Sequence, residues 1–417
     1  MNNKNIQYMK ELNEIKILNL LRNEAPISRS ELAEYTNITK VTISEIIKRL
    51  DNEGYILEIG KGKSTKKGGK RPTLMKLNPD KGYVIGIEYK RKNAHIAISN
   101  IESEILSTID FSYEVGSSLE EVIQNTVKAI DKELENLDIP HDKLISIAIG
   151  VPGFVDYEKG ELTFADTMKG WEKKPFAVKF SKHYNVPVLL ENDVNMIAIG
   201  EDLVGAGRDE SNIVSIWIGA GVGAGIIMDN QLIRGASGIA GEIGYLEVGH
   251  FLANHSFLRN LYTNQKYIGD LLSEEHLFEV LMMRMKFQES ESGKSYEDFN
   301  IEEFLELADK GNRDVQEILD EYALILAIVC TELIKTINTN LIILSGTVIE
   351  SSDYLFSKVQ QIIKSNMREI PFDASSIVIG ELGGDTACLK GALALALQVV
   401  FKPYIQHQRL KQVHIKD

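Results

Sequence analysis

The chain has 417 residues, of which 44% are hydrophobic and 25% charged, and carries a formal net charge of −14. Such a length is too great for one ordinary domain, and the composition is globular rather than disordered, collagenous or disulfide-stapled. With no apolar run near the roughly 18 residues of a membrane span and a polar start, "MNNKNIQ", a cytoplasmic protein without a membrane partner is expected.

The overall acidity conceals a basic head. Residues 1–77 hold 15 Lys and Arg against 9 Asp and Glu, a distribution that points to nucleic acid at one end only. In "MKELNEIKILNLLRNE" the residues Leu12, Ile15, Leu18 and Leu21 recur every third position, which predicts a helix that Pro26 ends. "SRSELAEYT" follows, with Ser28 and Glu31 in capping-box spacing. A turn at Asn37-Ile38 leads into "TKVTISEIIKRLDNEG", with Thr39 as N-cap and Gly54 as stop. Val41, Ile43, Ile46, Ile47 and Leu50 are expected to face inward. That leaves Thr39, Lys40, Thr42, Ser44 and Lys48 outward, short or cationic as a major-groove recognition helix requires, and Ser28 is counted with them as a DNA contact. "GYILEIG" and "RPTLMKL" then flank a glycine- and lysine-rich loop. It reads as a β-wing rather than a flexible linker because it follows a helix-turn-helix pattern. Lys66, Lys67, Lys70 and Arg71 form its basic tip, with Arg71 suited to a minor groove.

From residue 82 strands and helices alternate. "YVIGIEY" and "NAHIAISN" predict a hairpin, "SLEEVIQNTVKAIDKELENL" an amphipathic helix, and "LISIAIGVPG" a buried strand running into a loop. "VPVLLENDVNMIAIGEDLVGAG" reads as strand, acidic turn and helix. "NIVSIWIGAGVGAGIIMDNQLIRGASGIAGEIGY" reads as a glycine-rich hairpin and a loop ending in a carboxylate, and "NLIILSGTVIE" and "SSIVIGELGGDTACLKGALALAL" close the pattern. Two β-rich halves with crossover helices imply an α/β protein. Cys330 and Cys388, far apart in apolar surroundings, suit buried thiols and build neither a zinc knuckle nor a disulfide framework.

Five motifs in order, "GVPGFVD", "TMKGW", "ENDVNMIAIGE", "IGAGVGAGII" and "GASGIAGEIGY", resemble the ROK family of repressors, open reading frames and kinases. With the head, the layout resembles that family's xylose-repressor-type regulators. The resemblance implies an α/β two-lobed sugar-kinase fold (actin-like ATPase/ribonuclease H-like) with an N-terminal winged helix-turn-helix domain. Its expected divisions are 1–77 for the head, 78–200 for a first lobe completed by 381–417, and 201–380 for a second lobe with an oligomerisation surface.

In "ENDVN" a carboxylate beside an amide, Asp193 beside Asn192, can hold adjacent sugar hydroxyls, each both donor and acceptor. Asp193 matches the general base of the family's kinases; read alone, it is equally an N-cap. Glu242 in "GEIGY" is expected as a second hydroxyl acceptor rather than a surface acid. Gly153 and Thr167 match positions that approach the sugar, and Trp171 suits either a sugar face or the core. Tyr245 stands where the family places a zinc-ligating His and is grouped with the sugar set. The loop after it has no cysteine, only His250 and His255, so neither zinc nor another cofactor is expected. The family's first phosphate turn carries an Asp followed by small residues; here it reads Glu88-Tyr89-Lys90, with Tyr and Lys expected to fill the space phosphates need. The implied function is a sugar-responsive repressor without enzymatic activity, acting as a homodimer or dimer of dimers on a pseudo-palindromic double-stranded operator. The alternatives are a sugar kinase with a regulatory head and a repressor released by a partner protein.

Overall fold

In the head each helix starts where its cap stands. A computed structural model describes residues 3–62, 71–249, 265–286, 295–367 and 375–401, and within it a helix spans Asn3–Glu24, ending two residues before Pro26. Ser28 caps the helix Arg29–Thr36: its Oγ accepts the Glu31 N–H and the Glu31 carboxylate accepts the Ser28 N–H at 2.8 Å, the reciprocal box expected from the spacing. Thr39 caps the helix Lys40–Asn52 by accepting the Thr42 N–H at 3.2 Å. Ile43, Ile46, Ile47 and Leu50 bury one face of that helix beside Ile17, Leu18, Leu21 and Leu32. Strand Thr73–Leu77 lies between Ile27–Ser28 and Ile56–Lys61, antiparallel to both. The three helices thus sit with a three-stranded sheet, a winged helix-turn-helix.

The chain divides into two compact units, Met1–Glu191 with Ala392–Asp417, and Asn192–Gly391. In the first, the sheet order is Val188–Asn192, Leu144–Val151, Tyr83–Tyr89, Asn93–Asn100, Ile105–Ser112. Tyr83–Tyr89 runs parallel to Leu144–Val151 and antiparallel to Asn93–Asn100. The helix Leu119–Asn136, capped by Ser118, buries Val122, Ile123, Ile130 and Leu134 in the core of this unit.

The second unit has the same plan, a hairpin joined to parallel strands: Gln231–Leu232, Val222–Met228, Ile213–Ile218, Leu341–Ser345, Ser376–Ile379. Beside it runs the helix Arg313–Ile337, whose buried residues, from Val315 to Ile334, occupy the largest apolar core. Cys330 and Cys388 are buried thiols. No helix among the described residues is long and apolar enough to cross a membrane.

The unit boundaries differ from the expected 200/201 and 380/381. The helix Asp193–Val204 belongs to the second unit because Val194 and Ala198 pack over Gly223 and Gly225 of its hairpin. The C-terminal boundary moves to Gly391 for a like reason: a Cβ there would lie 2.0 Å from the Met196 carbonyl oxygen, so helix and C-terminal segment meet at backbone distance.

Candidate functional site

The outward face of the helix Lys40–Asn52 carries Lys40, Ser44 and Lys48, as expected, but Val41 joins them. It is 70% exposed rather than buried. Two residues before Ile43, Val41 lies about 200° round the helix from it, so the periodicity of the buried positions excludes it from the core. The hydroxyls of Thr39 and Thr42 lie 2.9 Å apart within the cap. Ser44 Oγ donates to the Lys40 carbonyl at 2.8 Å, which leaves its lone pairs outward. Ser28 departs from its expected role: it is 1% exposed and its hydroxyl is engaged by Glu31, so it shapes a helix start rather than offering a contact. Arg71 is exposed, whereas Lys66, Lys67 and Lys70 lie outside the described residues.

The second unit brings Asp193 and Glu242 together through its glycine hairpin. The helix that begins at Asp193 packs on Gly223 and Gly225, and Ala198 would meet a Cβ on Gly225 at 2.2 Å. The loop before Glu242 docks on the same hairpin: the Ala224 N–H donates to the Gly241 carbonyl at 2.8 Å. Gly241, at φ +89°, leaves no room for a Cβ beside the Ala224 carbonyl, which would lie 1.8 Å away. Gly223, Gly225 and Gly241 are thus packing sites. Burial pushes the Glu242 carboxyl up to about 7, and the charge of Asp193 adds to the effect. Near neutral pH the pair therefore offers both a charged acceptor and a carboxyl that can hold a proton, a match for hydroxyls that donate and accept.

Asn192, not Asp193, is the N-cap. Its Oδ1 accepts the Val194 and Asn195 N–H groups at 2.9 and 3.0 Å. A helix start needs an acceptor for its first N–H groups, and Asn192 supplies it through Oδ1, which positions the helix. Asp193 occupies the first helical position, its Oδ1 accepting the Val194 N–H at 2.9 Å. Tyr245, in a 3₁₀ turn after Glu242, is 49% exposed and meets Tyr267 edge-on at 5.8 Å. One carboxylate was missed in sequence. Glu201, fully buried, accepts the N–H groups of Ala206, Glu381 and Leu382 and ties the helix end to the chain before its last helix. Its only signal was an acid among the apolar residues of "MIAIGEDLV".

In the first unit, Gly153 has φ +107°, and a Cβ there would lie 2.3 Å from the Phe164 carbonyl oxygen, so the small hairpin Phe154–Phe164 requires a glycine. Thr167 is exposed on the wall of a cavity of about 320 Å³, with Arg91, Tyr113, Asp166, Lys169 and Trp171. Trp171 is a core residue: it is 3% exposed, and its indole N–H donates to the Ser117 carbonyl at 3.0 Å.

The turn after Tyr89 corrects another expectation. Tyr89 fills no space outside the sheet. It is fully buried, edge-on to Trp171 at 5.6 Å and Phe176 at 5.5 Å, with its hydroxyl 2.7 Å from Thr126 Oγ1. Lys90 Nζ lies 3.7 Å from the buried Glu88 carboxylate, and its N–H closes the turn on the Asn93 carbonyl. Among the described residues no group of three or more His, Cys, Asp or Glu could hold a metal; His250 and His255 lie outside them.

Residues 84–399 match the family described as "ROK family" and residues 11–56 the one described as "Winged helix-turn-helix DNA-binding". The xylose repressor of Caldicellulosiruptor bescii is 27% identical over 394 residues, covering 93% of this chain and 96% of the relative. A solved ROK family transcriptional regulator, described as a homologue of the E. coli MLC protein, superposes with a TM-score of 0.74 at 20% identity, covering 97% of this chain and all of the other. A ROK family glucokinase from Streptomyces griseus, solved with glucose and AMPPNP, covers 76% of this chain and all of its own, with a TM-score of 0.61 at 23% identity.

Proposed function

The chain belongs to the ROK family, and from that premise we propose that it is a DNA-binding transcriptional repressor whose ROK domain responds to a monosaccharide or derivative. The observation that carries the reading is the pairing of Asp193 with Glu242 on the second unit of a chain that begins with a winged helix. A carboxyl held near neutrality beside a second acid suits hydroxyl-rich ligands, while the head supplies Lys40, Ser44 and Lys48 on an exposed helix face. Binding of sugar shifts the affinity for DNA by favouring one arrangement of the protein over another. Because a relative covering nearly its whole length is named a xylose repressor, xylose is the first ligand to test.

We assign no phosphoryl transfer to it. In place of an Asp followed by small residues, the first turn holds a buried Glu88 paired with Lys90, and phosphoryl transfer depends on positioning both phosphates and metal. A cytoplasmic setting and a homodimer or dimer of dimers belong to the same reading.

The test combines two measurements on the full chain. Duplexes are selected from a random pool, and their binding is followed with xylose, glucose, N-acetylglucosamine and common disaccharides. ADP formation is followed with the same sugars and ATP. One enriched operator whose binding changes with one sugar, and ADP at background, are expected. Failure to enrich any duplex, or sugar-dependent ADP formation well above background, overturns the proposal.

A further inference from the structure

On the outward face of the recognition helix, Val41 and Glu45 stand among the DNA contacts named above without being counted with them. Val41 is the most exposed aliphatic side chain described in the head, at 70% against 48% for Ile59 on the wing strand. Val41, Ser44, Glu45 and Lys48, with Lys40, line one shallow groove along the helix. Positions 41, 44, 45 and 48 are neighbours on a helix surface by their spacing of three and four. Lys40 and Lys48 stand at the two ends of this row, and in the middle are an aliphatic group and an acid.

Chemistry separates the two kinds of position. A phosphate oxygen is met by a cation or an N–H or O–H donor, which Lys40 and Lys48 supply. Val41 offers no donor, and the carboxylate of Glu45 beside it repels phosphate. A patch that a phosphate avoids, at the start of a recognition helix, suits only the base edges at the groove floor. There the one apolar group is the 5-methyl of thymine, and the donors that a carboxylate accepts are exocyclic amino groups such as cytosine N4. One hydroxyl proton of the Thr39–Thr42 pair and that of Ser44 are engaged within the helix, whereas Val41 stands 70% exposed on the same face.

Resting on the reading of the head as a DNA-binding module, we propose that Val41 is a specificity-determining residue that packs against the 5-methyl group of one thymine in each operator half-site, and that Glu45 keeps this stretch of the helix on base edges rather than phosphate.

The enriched duplex from the selection is the probe. Each thymine is replaced in turn by deoxyuridine, which removes the methyl and leaves every hydrogen-bonding atom in place. For the wild-type chain, one position per half-site loses about three- to fivefold in affinity per substitution, the scale of one methyl group buried. Val41→Ala binds the thymine duplex more weakly by a similar factor and is indifferent to deoxyuridine at that position. Because Val41 is exposed, the variant folds as the wild type does. A wild-type chain indifferent to deoxyuridine at every position overturns the inference while leaving repression intact, and so does a Val41→Ala chain that keeps the deoxyuridine penalty. If no duplex is enriched at all, the DNA-binding reading falls and this inference falls with it.

Discussion

Asp193 and Glu242 carry the ligand side of the reading, and each supports a measurement. Asp193→Asn keeps the shape of the first helical position but exchanges a charged acceptor for a neutral one. A charge-assisted hydrogen bond contributes roughly 1.5–3 kcal/mol, so sugar affinity should fall about ten- to a hundredfold in calorimetric titration, with operator binding in the absence of sugar unchanged. The cap does not confound this outcome, since Asn192 supplies it. For Glu242 the variable is pH. Its carboxyl sits near 7 in the folded protein against an ordinary 4.5. If its ionised form accepts a sugar hydroxyl, affinity rises by about tenfold in all between pH 6 and pH 8, as the ionised fraction goes from about a tenth to about nine tenths. Stability takes the opposite sign: a carboxyl whose folded value is raised favours the folded state at low pH, and that contribution is lost as pH rises from about 4.5 toward 7. Glu242→Gln should flatten both profiles; a sugar titration with no pH dependence in the wild type would remove Glu242 from the site. Read alone, Asp193 was equally an N-cap; strand-to-helix junctions need an acceptor, and only the backbone geometry shows that Asn192 is the adjacent polar residue that meets that need.

At the scale of elements, the strand Tyr83–Tyr89 shows how a local substitution was misread. Tyr83, Ile85, Ile87 and Tyr89 alternate on one face, and all are buried. The tyrosine therefore extends the strand by one core position and does not block a turn. Tyr89→Ala should cost about 3–5 kcal/mol in denaturant unfolding, as large aromatic truncations in cores do. Tyr89→Phe should cost about 1 kcal/mol by removing the hydroxyl that faces Thr126. Were the side chain a plug over a solvent-filled site, both variants would unfold like the wild type. The same periodicity argument was available for Val41, which its apolar character alone had placed inside. The capping signals at Ser28, Thr39 and Ser118 were read or readable directly, because a cap is a contact between residues three apart in sequence.

For the whole molecule, the head sets the oligomeric expectation. One recognition helix buries too little surface for specific affinity, so two copies should bind a two-fold site with half-site centres about one helical turn, or a multiple of it, apart. Sedimentation of the full chain with the enriched duplex should give two chains per site. Affinity should fall with salt at about 0.9 log units per decade for each phosphate contact, and Arg71→Ala, at an exposed position two residues before the strand Thr73–Leu77, should lower the slope by about that amount. An unchanged slope would take Arg71 away from the DNA.

What the sequence determined alone was whatever neighbouring residues decide together. That covers the capped helices of the head, the alternating strands, the charge difference between head and body, and the five ordered motifs from "GVPGFVD" to "GASGIAGEIGY". The tertiary structure decided what depends on approach between distant segments. Gly223 and Gly225 admit the helix that carries Asp193, Gly241 lets the loop that carries Glu242 dock on the same hairpin, and Gly391 moves a boundary. A glycine in sequence states only that some backbone comes close or turns sharply there. Which backbone arrives, and hence which carboxylates become neighbours with a shifted proton affinity, is set by packing across tens of residues, where no local period or spacing carries the information.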